Sequence, residues 1–267
     1  MSTLAENVAK VTAAHAALKT AIASKGVTVP DGTKLSEMPD LVEQIRTPPD
    51  ITDSTRFYER SGKASIDVPA VVFVDFTKTT DLSYCFHGCS SLTSLSLPDG
   101  FGKNAQFAIS CFENCSNLET LSLPSGFMRS GYFNDMFASC SSLTSLTFPG
   151  GCGQSIDQAN RMLKGCSSLT SLTFPEGFCG NPSSTSARFA SAFAGCVNLE
   201  NVVGGIKYGR NINFSECTKL THDSLLSIIT ALDPITTAQT LTLGATNLAK
   251  LTDEEKKVAT DKGWTLA

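Results

Sequence analysis

A ten-residue block recurs four times, almost letter for letter, in the middle of this 267-residue chain. Each copy has the form Cys-Ser-x-Leu-x-x-Leu-x-[Leu/Phe]-Pro, and the copies begin at Cys89, Cys115, Cys140 and Cys166. Weaker copies begin at Cys196 and Cys217, so that successive cysteines are 26, 25, 26, 30 and 21 residues apart. A repeated unit of this length cannot bury its apolar face alone, and the sequence therefore predicts a stack of similar units.

Each block predicts one short strand that is closed by a turn. Apolar residues alternate with Ser or Thr, so one side faces a core and the other faces solvent. The following Pro-x-Gly predicts a turn, because proline fixes φ and glycine adopts positive φ. The apolar residue three positions before each cysteine predicts a short helical or 3₁₀ stretch that completes the coil; these residues are Phe86, Phe112, Phe137, Leu163, Phe193 and Phe214. One repeat is then one turn of a right-handed solenoid.

This pattern resembles the Treponema-type (BspA-like) leucine-rich repeats over roughly residues 71–220. The resemblance implies an α/β repeat solenoid with a parallel sheet, used for binding or adhesion in bacterial and phage-borne proteins. We predict four parts: an oligomerising helix at 1–24, an attachment segment and linker at 25–56, the leucine-rich-repeat solenoid at 57–221 and a C-terminal α/β cap at 222–267.

The first 45 residues carry a heptad pattern and a second resemblance. The heptad positions are Leu4, Val8, Val11, His15, Leu18 and Ile22. This spacing predicts a coiled-coil helix that associates with itself, with docking of a single helix on a neighbouring surface as the alternative. β-branched residues in the pattern favour a dimer. The segment from Gly26 to Ile45, together with the helix before it, resembles the N-terminal module of phage tail and baseplate accessory proteins. This resemblance implies a trimer attached to a virion, and we favour the trimer.

Capping signals delimit the C-terminal part. Thr221 is the predicted N-cap of an amphipathic helix, and a strand at 240–243 is predicted to add to the solenoid sheet. Thr252 and Glu255 form a capping box whose helix ends at Gly263.

Candidate ligand-binding residues lie on the polar strand faces and in the more variable segments. The hydroxyl set is Ser96, Ser122, Thr147 and Thr173, and the arginine and tyrosine set is Arg129, Tyr132, Arg161 and Arg188. Hydroxyls can hydrogen-bond a glycan, and arginine and aromatic residues recur at interface hot spots. The alternative is that Ser and Thr merely suit an exposed strand.

Composition and motifs argue against several other functions. Charged residues make up 17% of the chain and the net charge is −4, so neither nucleic acid nor an anionic membrane is a predicted partner. The Cys-x₃-Cys pair at Cys85 and Cys89 resembles a metal motif, but the first position becomes Met136 in a later repeat. We therefore predict buried thiols, with metal binding or oxidation as the alternative. We predict no catalytic residues and no cofactor, because no catalytic motif is present.

These observations predict a phage or prophage virion protein of the tail tip, fibre or baseplate. Its N-terminus would bind other tail proteins, and its solenoid would bind a bacterial surface glycan or protein with the avidity of several linked copies. The lack of a signal-peptide pattern at the N-terminus fits assembly in the host cytoplasm. The alternatives are a bacterial cell-surface or secreted adhesin of the same family and an intracellular protein-binding scaffold.

Overall fold

The computed structural model describes residues 65–67, 79–97, 99–180, 188–207 and 212–267. The predicted attachment segment and the predicted oligomerising helix lie outside the described residues. The latter includes the heptad residues Leu4, Val8, Val11, His15, Leu18 and Ile22. Everything below concerns the described part.

The repeats contain eight short strands. They are β1 (Ser65–Asp67), β2 (Ser94–Ser96), β3 (Thr120–Leu121), β4 (Ser130–Tyr132), β5 (Ser145–Thr147), β6 (Ser155–Gln158), β7 (Ser171–Thr173) and β8 (Asn201–Val203). The leucine blocks form β2, β3, β5, β7 and β8, and β1 precedes them on the same side of the stack, which we call the strand side. Equivalent residues of paired repeats face each other in parallel register, for example Leu146 with Leu172. The strand side consists of two sheets, β1-β2-β3 and β5-β7-β8.

A second set of parallel contacts follows the Pro-x-Gly turns. We call it the bridge side: β4 pairs with β6, and single bridges join Asp81 to Phe107, Phe107 to Tyr132, and Gln158 to Arg188. The register shifts between Gly131 and Tyr132. The segment from Pro124 to Tyr132 is one residue shorter than the segment from Pro149 to Gln158, so a bulge takes up the difference.

The prediction of a short helical or 3₁₀ stretch before each cysteine is wrong. Residues 83–88 and their equivalents form overlapping turns, which we call the turn side. The residue five positions before the cysteine has φ between +54° and +61° in five repeats, at Tyr84, Ser110, Asp135, Arg161 and Ser191. A right-handed helix cannot contain such residues. Alternate N–H groups therefore point to the next repeat: those of Tyr84, Phe86 and Gly88 donate to Ile109, Cys111 and Glu113 at 2.8–2.9 Å.

Aromatic side chains fill the interior as stacked columns. Phe86, Phe112 and Phe137 lie one above another with ring centroids 5.2 Å apart, and all three are fully buried. Phe101 and Phe127 of the Pro-x-Gly turns are also fully buried. Burial of a phenylalanine side chain stabilises a fold by about 1.5–3 kcal/mol, so these columns are a principal source of stability.

The repeated cysteine has a specific hydrogen-bonding role. All ten cysteines are buried thiols, as predicted. From the second repeat onward each block cysteine donates its thiol to a carbonyl oxygen of the preceding repeat, that of the residue three positions before the cysteine there. The pairs are Cys115 to Phe86, Cys140 to Phe112, Cys166 to Phe137 and Cys196 to Leu163 at 3.1–3.2 Å, and Cys217 to Phe193 at 3.8 Å. Cysteine therefore provides a small apolar volume and a weak donor at one position.

The chain closes with β9 (Ile212–Asn213), α1 (His222–Ala231), β10 (Gln239–Thr242), α2 (Gly244–Leu248), α3 (Asp253–Asp261) and β11 (Trp264–Leu266). The predicted N-cap Thr221 and the predicted capping box of Thr252 with Glu255 are confirmed. The prediction that residues 240–243 add to the strand-side sheet is wrong. β10 pairs instead with β9 and β11 in a separate parallel sheet, because β9 lies at the turn-side position of the last repeat.

Helix α1 closes the edge of the strand side. Two serines of α1 accept hydrogen bonds from β8 and the residue that follows it: Ser224 Oγ from the N–H of Val202 at 2.9 Å, and Ser227 Oγ from the N–H of Gly204 at 2.8 Å. An open strand edge invites pairing with other chains, and α1 prevents this at β8.

Candidate ligand-binding face

The eight predicted ligand-binding residues lie on different sides of the repeat stack. The four hydroxyl residues Ser96, Ser122, Thr147 and Thr173 follow the strand side, Arg161 lies on the turn side, and Arg129, Tyr132 and Arg188 belong to the bridge side. The structure therefore does not unite them in one site, and each side must be considered separately.

The strand side presents a row of hydroxyl groups. Ser122 and Thr147 are exposed and Thr173 is half-buried, and within the described part of the chain their side chains make no hydrogen bond. The neighbouring Thr144 and Thr170 instead donate to carbonyl oxygens of the preceding repeats, at 3.3 and 3.0 Å. One hydrogen bond contributes only about 0.5–1.5 kcal/mol net in water, so a row of hydroxyls alone binds weakly.

On the turn side, Arg161 is engaged within the protein. Its Nε and Nη2 donate to the two carboxylate oxygens of Asp135 in the preceding repeat, at 2.7 and 2.6 Å. The hydrogen bonds that Arg161 donates to the Asp135 carboxylate raise the pKa of Arg161. A ligand would have to compete with this bidentate pair, which makes Arg161 a poor candidate contact.

On the bridge side, the structure brings two aromatic rings together at the surface. Phe107 and Tyr132 are half-buried, and their rings stack with centroids 5.2 Å apart and planes 11° apart. Phe107 was not among the predicted residues. It lies eight positions before Cys115, as Tyr132 lies eight positions before Cys140, so alignment of the repeats through the segments between blocks would have found it.

Two basic residues, Lys103 and Arg129, precede the two aromatic residues in the chain. The N–H of Met128 donates to the carbonyl of Gly102 at 3.0 Å, so Lys103 and Arg129, the residues that follow, lie on adjacent repeats. Both side chains are exposed, and neither forms an ion pair with any residue in the described part of the chain. Together Lys103, Phe107, Arg129 and Tyr132 define the bridge-side patch.

Glycines of the following turns give the basic side chains room to lie close to the backbone. The Nε and Nη2 atoms of Arg129 lie 3.7 and 3.8 Å from the place where a Cβ of Gly151 would be, and Cγ of Lys103 lies 3.9 Å from the equivalent place at Gly126. Parts of both side chains therefore lie against the next repeat.

Polar groups continue the bridge side beyond the patch. The Gln158 side-chain oxygen accepts a hydrogen bond from Asn134 Nδ2 at 3.0 Å, which leaves the Gln158 amide N–H groups to other partners. Arg188 is exposed one repeat further on, and Asp81 occupies the equivalent position before Phe107.

The buried thiols are poor nucleophiles. Burial raises the pKa of Cys196 from about 9 to about 12, and burial likewise raises the pKa of Cys166 and Cys217. A thiol needs its thiolate form to react or to bind a metal. Among the described residues, no group of three or more His, Cys, Asp or Glu side chains is arranged to hold a metal ion. No helix in this part of the chain is long and apolar enough to cross a membrane.

The described architecture defines a leucine-rich-repeat protein with parallel strands. A model of the BspA-type leucine-rich-repeat region matches residues 78–181 and 134–253, in six copies. The chain belongs to this family. A comparison with curated proteins finds no significant match.

Three solved bacterial structures are similar to this chain. A leucine-rich-repeat protein of T. pallidum is 18% identical, with 78% of this chain and 86% of that chain covered and a TM-score of 0.48. A leucine-rich cell surface protein of Faecalibacterium prausnitzii is 19% identical, with 60% and 35% covered and a TM-score of 0.38. A leucine-rich-repeat protein of Bacteroides ovatus is 17% identical, with 63% and 48% covered and a TM-score of 0.25. This chain thus spans about a third and about half of the last two.

Proposed function

We propose that the chain is a non-catalytic binding protein of the adhesin type, and that it contacts its ligand through the bridge-side patch. The observation that carries this proposal is that adjacent repeats present the same kinds of residue. The aromatic rings of Phe107 and Tyr132 stack on each other, and the basic residues Lys103 and Arg129 occupy equivalent positions on adjacent repeats. Aromatic and arginine side chains contribute most of the energy at many binding surfaces. The strand-side hydroxyls would supply secondary contacts.

We place the protein at a bacterial cell surface. Membership of the BspA-type family supports this proposal, because the adhesin hypothesis depends on the repeats that the family model matches. The virion hypothesis depends on the first 45 residues, which lie outside both the matched span and the described residues. It remains the second candidate only on that resemblance.

We further propose that the repeats continue as one solenoid and that the N-terminal helix joins several chains, with a trimer favoured over a dimer. Linked copies raise the effective concentration at the second contact, so a weak patch can bind a surface firmly. This mechanism requires no chemical step by the protein.

Binding of fluorescently labelled full-length protein to bacterial cells and to purified cell-wall polysaccharide tests the adhesin proposal. We expect Tyr132→Ala to weaken binding at least tenfold, whereas Thr147→Ala on the strand side leaves it nearly unchanged. Thermal unfolding of both variants checks that they remain folded. Equal loss in the two variants, or loss only in Thr147→Ala, would contradict a role for the bridge-side patch.

Antibody labelling tests the location separately. We expect an antibody against the repeats to label intact bacteria that produce the protein. Label confined to purified phage particles would reject the cell-surface location and favour the virion hypothesis.

A further inference from the structure

We infer that the bridge-side patch binds a carboxylate-bearing polysaccharide, with Lys103 and Arg129 receiving the acid groups of neighbouring sugars. This inference rests on the proposed binding function and specifies the ligand class of the same patch. It depends on the charge, the spacing and the surroundings of these two cations.

Lys103 and Arg129 differ in their ion pairing from two other basic residues. Elsewhere in the described part of the chain, Arg161 pairs with Asp135 and Lys207 with Asp233. Lys103 and Arg129 are exposed on adjacent repeats without an ion pair to any described residue. Like charges on neighbouring repeats repel each other, and an anion placed between or along them relieves that repulsion. The protein as a whole carries a charge of −4, so the attraction for an anion is local.

The distance between adjacent repeats is similar to the length of one sugar unit. Equivalent residues of adjacent parallel strands are about 4.8 Å apart, a distance comparable with one sugar ring in an extended chain. Consecutive acidic sugars could therefore face consecutive cations. The planar guanidinium of Arg129 suits a carboxylate, which it can bind through two parallel hydrogen bonds. Its Nε and Nη2 atoms lie beside Gly151 of the next repeat.

The surroundings favour a sugar chain over a small anion. Phe107 and Tyr132 form a half-buried aromatic pair, and aromatic rings pack against the apolar C–H groups of a pyranose. Ser130, between Arg129 and Tyr132 in the chain, is exposed and provides a hydroxyl. Asp81 and Asp157 belong to the neighbouring repeats on either side, and the exposed Arg188 lies one repeat beyond Asp157.

The test measures affinity of the full-length protein for oligogalacturonate, for the same chain as its neutral methyl ester, and for a glycerol-phosphate polymer. We expect binding to oligogalacturonate that weakens as salt is raised, and little binding to the methyl ester. Replacing both cations, in Lys103→Gln with Arg129→Gln, should reduce affinity about 25-fold, which is about fivefold for each exposed contact.

The matched control is Lys164→Gln with Lys219→Gln, which removes the same charge from exposed positions outside the patch. It should leave affinity within about twofold of the unaltered protein. Equal binding of the methyl ester, equal or tighter binding of the phosphate polymer, or equal loss in the control would each overturn the inference. Binding to cells without binding to oligogalacturonate would overturn the ligand class and leave the proposed adhesin function standing; binding to neither would reject both.

Discussion

Replacing Gly131 by alanine should destabilise the protein more than any other Gly→Ala change on the bridge side. Gly131 has φ +119°, and a Cβ built there lies 1.9 Å from the carbonyl oxygen of Gln106. That carbonyl accepts a hydrogen bond from the N–H of Tyr132 at 2.9 Å, so the obstacle is backbone and cannot rotate away. Relief requires a backbone shift of about 1 Å or more.

The expected loss follows from two contributions. The unfavourable φ costs about 1–3 kcal/mol. The shift weakens the hydrogen bonds of Tyr132 with Gln106 and Ala108, at about 0.5–1.5 kcal/mol each. We therefore expect Gly131→Ala to lower the free energy of unfolding by about 2–6 kcal/mol in urea titrations followed by circular dichroism.

Substitutions at two other glycines distinguish the cost of the unfavourable φ from the cost of the steric clash. Gly126 also has positive φ (+78°), but its Cβ would meet only Cγ of Lys103 at 3.9 Å, so Gly126→Ala should cost about 1–2 kcal/mol. Gly150 is not among the residues with positive φ and has open space, so Gly150→Ala should be neutral or stabilising by up to about 1 kcal/mol. If Gly131→Ala lost no more stability than Gly126→Ala, the close approach of β4 to Gln106 would be refuted.

Three further predictions concern the thiols, the cap and the N-terminus. Burial raises the pKa of Cys196 to about 12, so the free energy of unfolding should be unaffected by this thiol below pH 9 and should fall as pH rises from about 9 to 12. A thiol reagent should modify the cysteines only when the protein unfolds, and rapid modification of the folded protein would contradict this. The double variant Ser224→Ala with Ser227→Ala removes both hydroxyls that accept hydrogen bonds from the edge of β8, so it should lower the free energy of unfolding by about 2–4 kcal/mol and promote aggregation through β8. An unchanged midpoint in thermal or urea unfolding would reject the capping role of α1. Deleting residues 1–24 should change the mass measured by light scattering from about three chains to one while the repeats stay folded; a truncated protein that kept its oligomeric mass would exclude the coiled coil.

Patterns local to a few residues predicted much of the fold. The alternation in each block fixed which leucines are buried, and the cap residues Thr221 and Thr252 marked the starts of α1 and α3. Both signals arise from contacts within one strand or one helical turn. They need no knowledge of what lies in the next repeat.

The turn side could not be predicted in the same way. The left-handed position directly before the cysteine is glycine in three repeats, at Gly88, Gly165 and Gly195. The other left-handed position carries residues such as Tyr84, Asp135 and Arg161, which gave no sign of positive φ. Hydrogen bonds to the next repeat hold these conformations, and such bonds depend on the stack. An apolar segment with a phenylalanine therefore indicated a helix where none exists.

The candidate site was predicted only in part. Arg129 and Tyr132 were identified by residue type, but Lys103 and Phe107 lie between the nearly identical blocks, whose spacing differs by one residue among the first four copies. The partner of Arg161 was missed for a similar reason. Asp135 lies 26 residues away and occupies the same repeat position, so the pair becomes visible only when whole repeats are aligned.

The turn side also gives the stack an electrical direction. At each junction from the first to the fifth of these repeats, three N–H groups donate toward the C-terminal neighbour, so their peptide dipoles add instead of cancelling as they do in a flat sheet. The positive end faces the C-terminus, where the carboxylate of Glu216 accepts the N–H of Gly195 at 2.8 Å. The two ends of the array are therefore not interchangeable: an added repeat must keep the polarity of its neighbours, and a closing unit at the C-terminal end must bring electron-rich oxygen atoms.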